Sequence, residues 1–445
     1  MTHSRQARAD WEDRSGSKHL FRFGKDGAGG ESPHPQDPRG LPVTQRGIAT
    51  DLIHHPFRAP EGWDAVPVPV MKASTVLFNS TAELHAPRPR DGISYRYGLP
   101  GTPTTYTLAA RIATLEHAEH CVLTPSGVSA VTLTSMAFLQ PGDEVLLPDN
   151  VYGQNRYVTT GLLSRLGITH RFYDPLDATA FAALLGERTR LVWLEAAGSI
   201  TLEFPDLVGL LRACRARGVL TAIDDTWGGG IAFNPFEVAP ALAPGLGADI
   251  AMHALTKFPS GGADLLMGAV CTRDSALNRR LVEMHEFLGY GLGQNDVEMV
   301  LRGLPSIALR YRAQDAATRV LARWMADRPE VARVLHPALA DSPGHAYWRQ
   351  VSPDAAGCLF SVVFKPAYDQ RRVDAFVDAL RCFGIGYSWA GPMSLVVPYD
   401  LSRSRSLGLP WTPEEGGSLV RFAIGLEDVE DLRADIEQAL GALAG

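Results

Sequence analysis

The chain has 445 residues with 42 basic and 49 acidic side chains, giving a net charge of −7, so it lacks the basic surface that a phosphate-neutralising nucleic-acid binder needs. Hydrophobic residues at 45% and charged residues at 20% are those of a globular protein with at least one large core. No apolar run approaches the roughly 18 residues that span a bilayer, so no membrane partner is expected.

Residues 1–45 mix charged residues, Gly, Ser, His and Pro with few apolar ones, and such a segment cannot bury enough surface to offset the entropy of ordering. It reads as a disordered tail without a secretory apolar region, and Asp10, Glu12, Asp13 and Glu31 are unlike the acid-poor composition of a transit peptide. The cysteines Cys121, Cys214, Cys271, Cys358 and Cys382 are odd in number and scattered among apolar neighbours, the pattern of buried thiols in a reducing compartment, so a cytoplasmic location is expected. His54 with His55, and His117 with His120, lack the spacing of metal ligands, and no metal is expected.

From about residue 119 short apolar runs alternate with helical periodicity. Cys121 to Leu123, Glu144 to Leu147, Leu191 to Leu194, Val219 to Ile223, Asp249 to Met252 and Gly268 to Cys271 read as buried strands. Between them, Pro205 to Arg217 places Leu207, Leu210, Leu211 and Cys214 on one helical face, with Pro205 starting the helix and Gly218 ending it. This alternation predicts an α/β fold, a doubly wound and mostly parallel sheet covered on both faces. From about residue 304, a helix over Arg371 to Leu380, a strand Leu419 to Ile424 and a final helix Glu427 to Leu443 predict a smaller C-terminal α/β domain.

Ligands of such sheets collect at the carboxyl ends of strands, and three ends carry unusual chemistry. Ser126-Gly127-Val128 opens a helix, which suits a phosphate on exposed N–H groups and equally an ordinary N-cap. Asp224-Asp225 ends an apolar run, where a carboxylate meets either a cation or a following turn. Thr256-Lys257 follows another run; a desolvated amine there has a lowered pKa and suits Schiff-base and general-base chemistry, while a snorkelling lysine fits the same pattern. Together the three supply a phosphate cradle, an acid for a pyridine nitrogen and an amine for a carbonyl, which is the set that pyridoxal phosphate requires.

From about Lys72 to Leu443 the chain resembles the Cys/Met metabolism family of pyridoxal-phosphate enzymes. The resemblance is carried by Tyr97-Gly98, Gly101-Thr102, Ser126-Gly127, Leu194-Glu195, Gly198-Ser199-Ile200-Thr201, Asp224 with Thr226-Trp227, Thr256-Lys257, Tyr387-Ser388-Trp389, and Arg421 with Ile424-Gly425-Leu426-Glu427-Asp428. It implies pyridoxal 5'-phosphate in a fold type I (aspartate aminotransferase-like) enzyme. The expected segments are the tail, an arm over 46–107 that serves the neighbouring subunit's site, a cofactor-binding domain over 108–303 and a C-terminal domain over 304–445. By the same resemblance Lys257 bonds the cofactor and moves the Cα proton, and Asp224 pairs with the ring nitrogen. Tyr152 stacks on the ring, Gly127, Val128 and Thr256 hold the phosphate, and Tyr97 reaches a neighbour's site in a homodimer or homotetramer. Arg421, Ser388 and Trp389 bind a small sulfur amino acid.

The implied activity is carbon–sulfur β-elimination in methionine synthesis, converting cystathionine to homocysteine, pyruvate and ammonia. A γ-elimination, γ-replacement or cysteine desulfhydration would use the same Lys257, Asp224 and Arg421, and a non-catalytic binding relative would need none of them. Leu99 and Ala254 stand where the family commonly has a phosphate-binding arginine and serine, leaving Lys72 and Arg96 as candidate replacements. Gly391-Pro392-Met393-Ser394-Leu395 departs from the family's usual stretch, and a lengthened segment over 234–247 is expected near the entrance.

Overall fold

The computed structural model describes residues 47–53, 66–87, 93, 95–401 and 405–444, and the tail expected over 1–45 lies outside them. Its first sheet has seven strands: β1 (His120–Thr124), β2 (Glu144–Pro148), β3 (Thr169–Tyr173), β4 (Thr189–Glu195), β5 (Leu220–Asp224), β6 (Ile250–His253) and β7 (Gly268–Thr272). Their spatial order is β1-β7-β6-β5-β4-β2-β3, and only β7 runs against the rest. Alternate residues of each central strand enter different cores: Val192 and Leu194 pack on one face, Leu191 and Trp193 on the other. Both faces are therefore dry, which is why these strands read as continuous apolar runs.

Helices packed on these strands include α1 (Pro103–Leu115) against β1, α2 (Gly127–Phe138) against β6 and β7, and α3 (Leu207–Arg217) against β5. Asp206 caps α3 by accepting from the Gly209 N–H, so Pro205 precedes the cap and is not the first helical residue. Gly218 ends α3 in the left-handed region at φ 61°.

Helix α4 (Ile307–Ala326) joins the two halves, burying Ile307 and Tyr311 in the first core and Leu321 and Met325 in the second. The second sheet holds β8 (Val331–Leu335), β9 (Leu359–Phe364), β10 (Gly384–Ile385), β11 (Leu395–Tyr399) and β12 (Leu419–Ala423), in the order β10-β11-β12-β9-β8. Helices α5 (Gln370–Asp378) and α6 (Val429–Leu440) cover it with Phe376 and Ile436. Asp428 caps α6, so the last helix starts two residues later than its pattern suggests.

Edge strand β3 escapes a search for apolar runs because only Tyr173 of its five residues is buried. Cys382 is exposed in the turn after α5 and Cys121 is half-buried, so the thiols are not uniformly internal; all five are free. Among the described residues no helix is long and apolar enough to cross a membrane.

Candidate active site

A cavity of about 700 Å³ opens at the carboxyl ends of the first sheet, walled on its far side by the second. Lys257, Asp224, Tyr152, Gly127, Val128, Thr256, Arg421, Ser388 and Trp389 all line it. Tyr97 does not: it is 53% exposed and bridged to Thr75.

The register sets the distances. Asp224, the last residue of β5, lies beside Met252 on β6, and Lys257 sits in the turn that follows β6, its N–H donating to the Ala254 carbonyl. Burial raises the Asp224 carboxyl; the Thr226 hydroxyl and N–H (the latter at 3.0 Å), then His253 and Lys257, oppose that rise. A buried carboxylate so placed favours a neighbouring cation. Burial, with the Arg421 charge, lowers the Lys257 amine to about 8. Its Nζ donates to the Ser388 hydroxyl at 2.6 Å and lies 5.4 Å from the Trp389 ring centroid.

Arg421 rises from β12 between apolar neighbours. Its Nη1 and Nη2 donate to the Ser199 and Ser388 carbonyls, both at 3.4 Å, and its buried Nε has no partner. A buried guanidinium with a free Nε and two long hydrogen bonds to carbonyls can take a carboxylate. At the other end of the cavity Ser126 caps α2 by accepting from the Ser129 N–H at 3.0 Å. A Cβ on Gly127 would sit 2.9 Å from the Ala254 Cβ, so glycine lets the helix end close against β6 and leaves its first N–H groups at the cavity.

These features leave a positive helix end, a reactive amine and a buried acid in one cavity. A molecule with a phosphate, a carbonyl carbon and a basic ring nitrogen completes them, and pyridoxal phosphate carries all three. The protein is a pyridoxal-phosphate enzyme of fold type I.

The family described as Cys/Met metabolism PLP-dependent enzyme matches residues 49–441, and the chain belongs to it. Cystathionine beta-lyase of Bordetella avium is 35% identical over 405 residues, covering 88% of this chain and 97% of its own. An L-alanine/L-glutamate racemase of Wolbachia pipientis wMel is 31% identical over 386 residues, 84% of this chain and 92% of its own. Among solved structures, metB from Corynebacterium glutamicum superposes with a TM-score of 0.80 at 25% identity, covering 91% of this chain and all of that one.

Several expectations change in detail. The Thr256 hydroxyl is already bonded to Met267, donating to its carbonyl at 3.3 Å and accepting from its N–H at 3.1 Å, so it braces the Lys257 turn. Neither candidate replacement for the family arginine reaches the cavity from its own chain. Lys72 is exposed, and Arg96 donates to the Leu84 and Ala86 carbonyls while lying over Phe78. The segment over 234–247 buries Phe236, Val238, Ala243 and Leu246 in the first core and contributes no residue to the cavity. Gly247 packs so closely on Phe236 that a Cβ there would overlap its carbonyl.

Glu195 and Tyr399, also on the wall, make contacts that no sequence pattern assigns. Glu195 accepts from the Tyr152 N–H at 2.7 Å, and burial beside Asp224 holds its carboxyl far above the usual range. Tyr399 lies under Arg421, with the guanidinium carbon 5.2 Å from its ring centroid. Because Val397 is opposite Arg421 in the β11–β12 register, Tyr399 shares that face. Local sequence contains no sign of this.

Proposed function

We propose that the protein is a carbon–sulfur β-lyase that cleaves L-cystathionine to homocysteine, pyruvate and ammonia. One observation supports this most directly: Ser388 joins base and substrate anchor, its hydroxyl accepting from Lys257 and its carbonyl from Arg421. An amino acid held by its carboxylate on Arg421 therefore presents Cα beside the lysine amine.

Bound pyridoxal phosphate supplies a carbonyl to capture an amine and a ring that takes up the electron pair left at Cα. Asp224 would pair with the ring nitrogen and keep it protonated, Tyr152 would be the aromatic platform, and Gly127 and Val128 would hold the phosphate, with Thr256 bracing the Lys257 turn beside them. Lys257, with an amine near 8, takes the Cα proton. As the Cα–H and Cβ–S bonds break, a Cα–Cβ double bond forms and the thiolate leaves with the sulfur electrons; hydrolysis of the released enamine gives pyruvate and ammonia. Ser388 and Trp389 keep the amine oriented. Tyr97 serves the cavity of a second copy, so the active unit is a homodimer or homotetramer, and the compartment is cytoplasmic.

Product analysis with L-cystathionine tests this reading. Pyruvate with homocysteine supports it. Formation of 2-oxobutyrate with cysteine would move the reaction to the γ-carbon, and racemisation of alanine or glutamate without thioether cleavage would replace the lyase by a racemase.

A further inference from the structure

Two buried carboxylates outside the cavity share one arginine. Asp149 follows β2, Glu203 lies beyond β4, and Arg405 comes from the connection between β11 and β12; their side chains are 2%, 2% and 11% exposed. Arg405 Nη2 donates to Glu203 Oε1 at 2.7 Å, Nη1 donates to the Thr201 hydroxyl at 3.2 Å, and Nε faces Asp149 Oδ2 at 3.4 Å. The next two backbone N–H groups, of Ser406 and Leu407, donate to the two Asp149 oxygens at 2.7 and 2.9 Å.

The carboxylates are also tied into the cavity wall. Glu203 Oε2 accepts from Asn150 Nδ2 at 3.0 Å and from the Thr201 hydroxyl at 2.5 Å. The Asn150 carbonyl accepts from the Ser199 N–H at 3.0 Å, and a Cβ on Gly198 would overlap the Asn150 amide. The loops tied in this way carry Tyr152, Ser199 and Ile200, all of which line the cavity, while Arg405 does not.

We propose that Arg405 is a positioning residue for substrate: it latches the second sheet's β11–β12 connection onto Asp149 and Glu203, and so fixes the loops that bear Tyr152 and Ser199-Ile200 opposite Arg421. A purely stabilising role accounts less well for the arrangement, because each carboxylate keeps other partners without Arg405. Asp149 retains Arg156, which donates at 2.8 Å, and Glu203 retains Asn150 and Thr201. Buried ion pairs are better attested as devices that fix registry than as sources of stability.

The kinetic arm of the test rests on the carbon–sulfur lyase reading, and a second arm does not. In Arg405→Met holoenzyme, KM for L-cystathionine rises about tenfold while kcat stays within about twofold, the split expected when binding geometry alone is disturbed. Arg405→Lys recovers part of the loss. Hydrogen exchange on the holoenzyme without substrate should accelerate in peptides covering 149–157 and 198–203 and remain unchanged in those covering β9 and α6. Local acceleration upholds the latch even if the enzyme cleaves no thioether, in which case the reaction assignment alone fails. Unchanged exchange at both loops, or uniform acceleration along the chain with a lowered Tm, overturns the latch whatever the activity.

Discussion

The Lys257 amine and the Ser388 hydroxyl are 2.6 Å apart, and Ser388 holds that position with its backbone at φ 93°, in the region that favours glycine. Ala390 follows at φ 63°, so the segment passing the lysine is strained at two nearby non-glycine residues. Such strain persists where surrounding contacts fix it, as here between β10 and the Arg421 face.

Replacing Ser388 separates chemistry from strain. Ser388→Ala should lower kcat by about 10²-fold, since the base loses its orienting partner. Ser388→Gly should lose activity equally but tolerate φ 93° without a side-chain clash, so its Tm should exceed that of the alanine variant; thermal melts with steady-state rates check both.

Glu116 makes stability depend on pH. It is fully buried against His253 at 2.6 Å, and burial raises its carboxyl to about 8. A carboxyl whose folded pKa lies above its unfolded one binds its proton more tightly when folded. It stabilises fully below the unfolded value and loses that contribution as pH rises towards about 8. His253, lowered to about 4, acts in the opposite sense at lower pH, so the window to use is pH 6.5 to 8. Tm should fall across it, and Glu116→Gln should flatten the slope. An unchanged slope in that variant would assign the effect to Asp225, which faces the same pair and is also raised by burial.

Gly127 tests the phosphate end. Gly127→Ala places a methyl 2.9 Å from the Ala254 Cβ and pushes α2 from β6, so pyridoxal phosphate affinity should fall at least about tenfold. Ala254→Gly in the same chain removes the opposing carbon and should restore most of it, as read by absorbance titration of the apoprotein. Failure of the pair to recover would place the phosphate elsewhere.

The three strand ends were legible because the first sheet buries both faces. Its central strands are largely apolar runs; Asp224 ends one of them, and Lys257 sits in the turn that follows another. β3 was not, since an edge strand with one buried residue has no such run. Tyr399 and Arg405 depend on pairings between distant segments: the β11–β12 register places Tyr399 under Arg421, and Arg405 meets Glu203 across 202 residues of chain. The segment over 234–247 looked like an insertion at the entrance because length alone does not tell packing from gating; Phe236 and Leu246 resolve it as core.

Adjacent parallel strands bring Asp224 and Lys257 to the cavity, so the spacing between acid and amine is a property of the β5–β6 pairing. It acts as a fixed gauge, cut to one cofactor, that no surface substitution can retune. The opposite wall is made of Tyr399, Tyr387 and the Ser199-Ile200 loop, which belong to other segments and carry none of that measurement. Evolution can therefore rewrite what is admitted without disturbing what is gripped. A lineage built on this plan is free to change its substrates, residue by residue, on one side of the cavity while the other stands still.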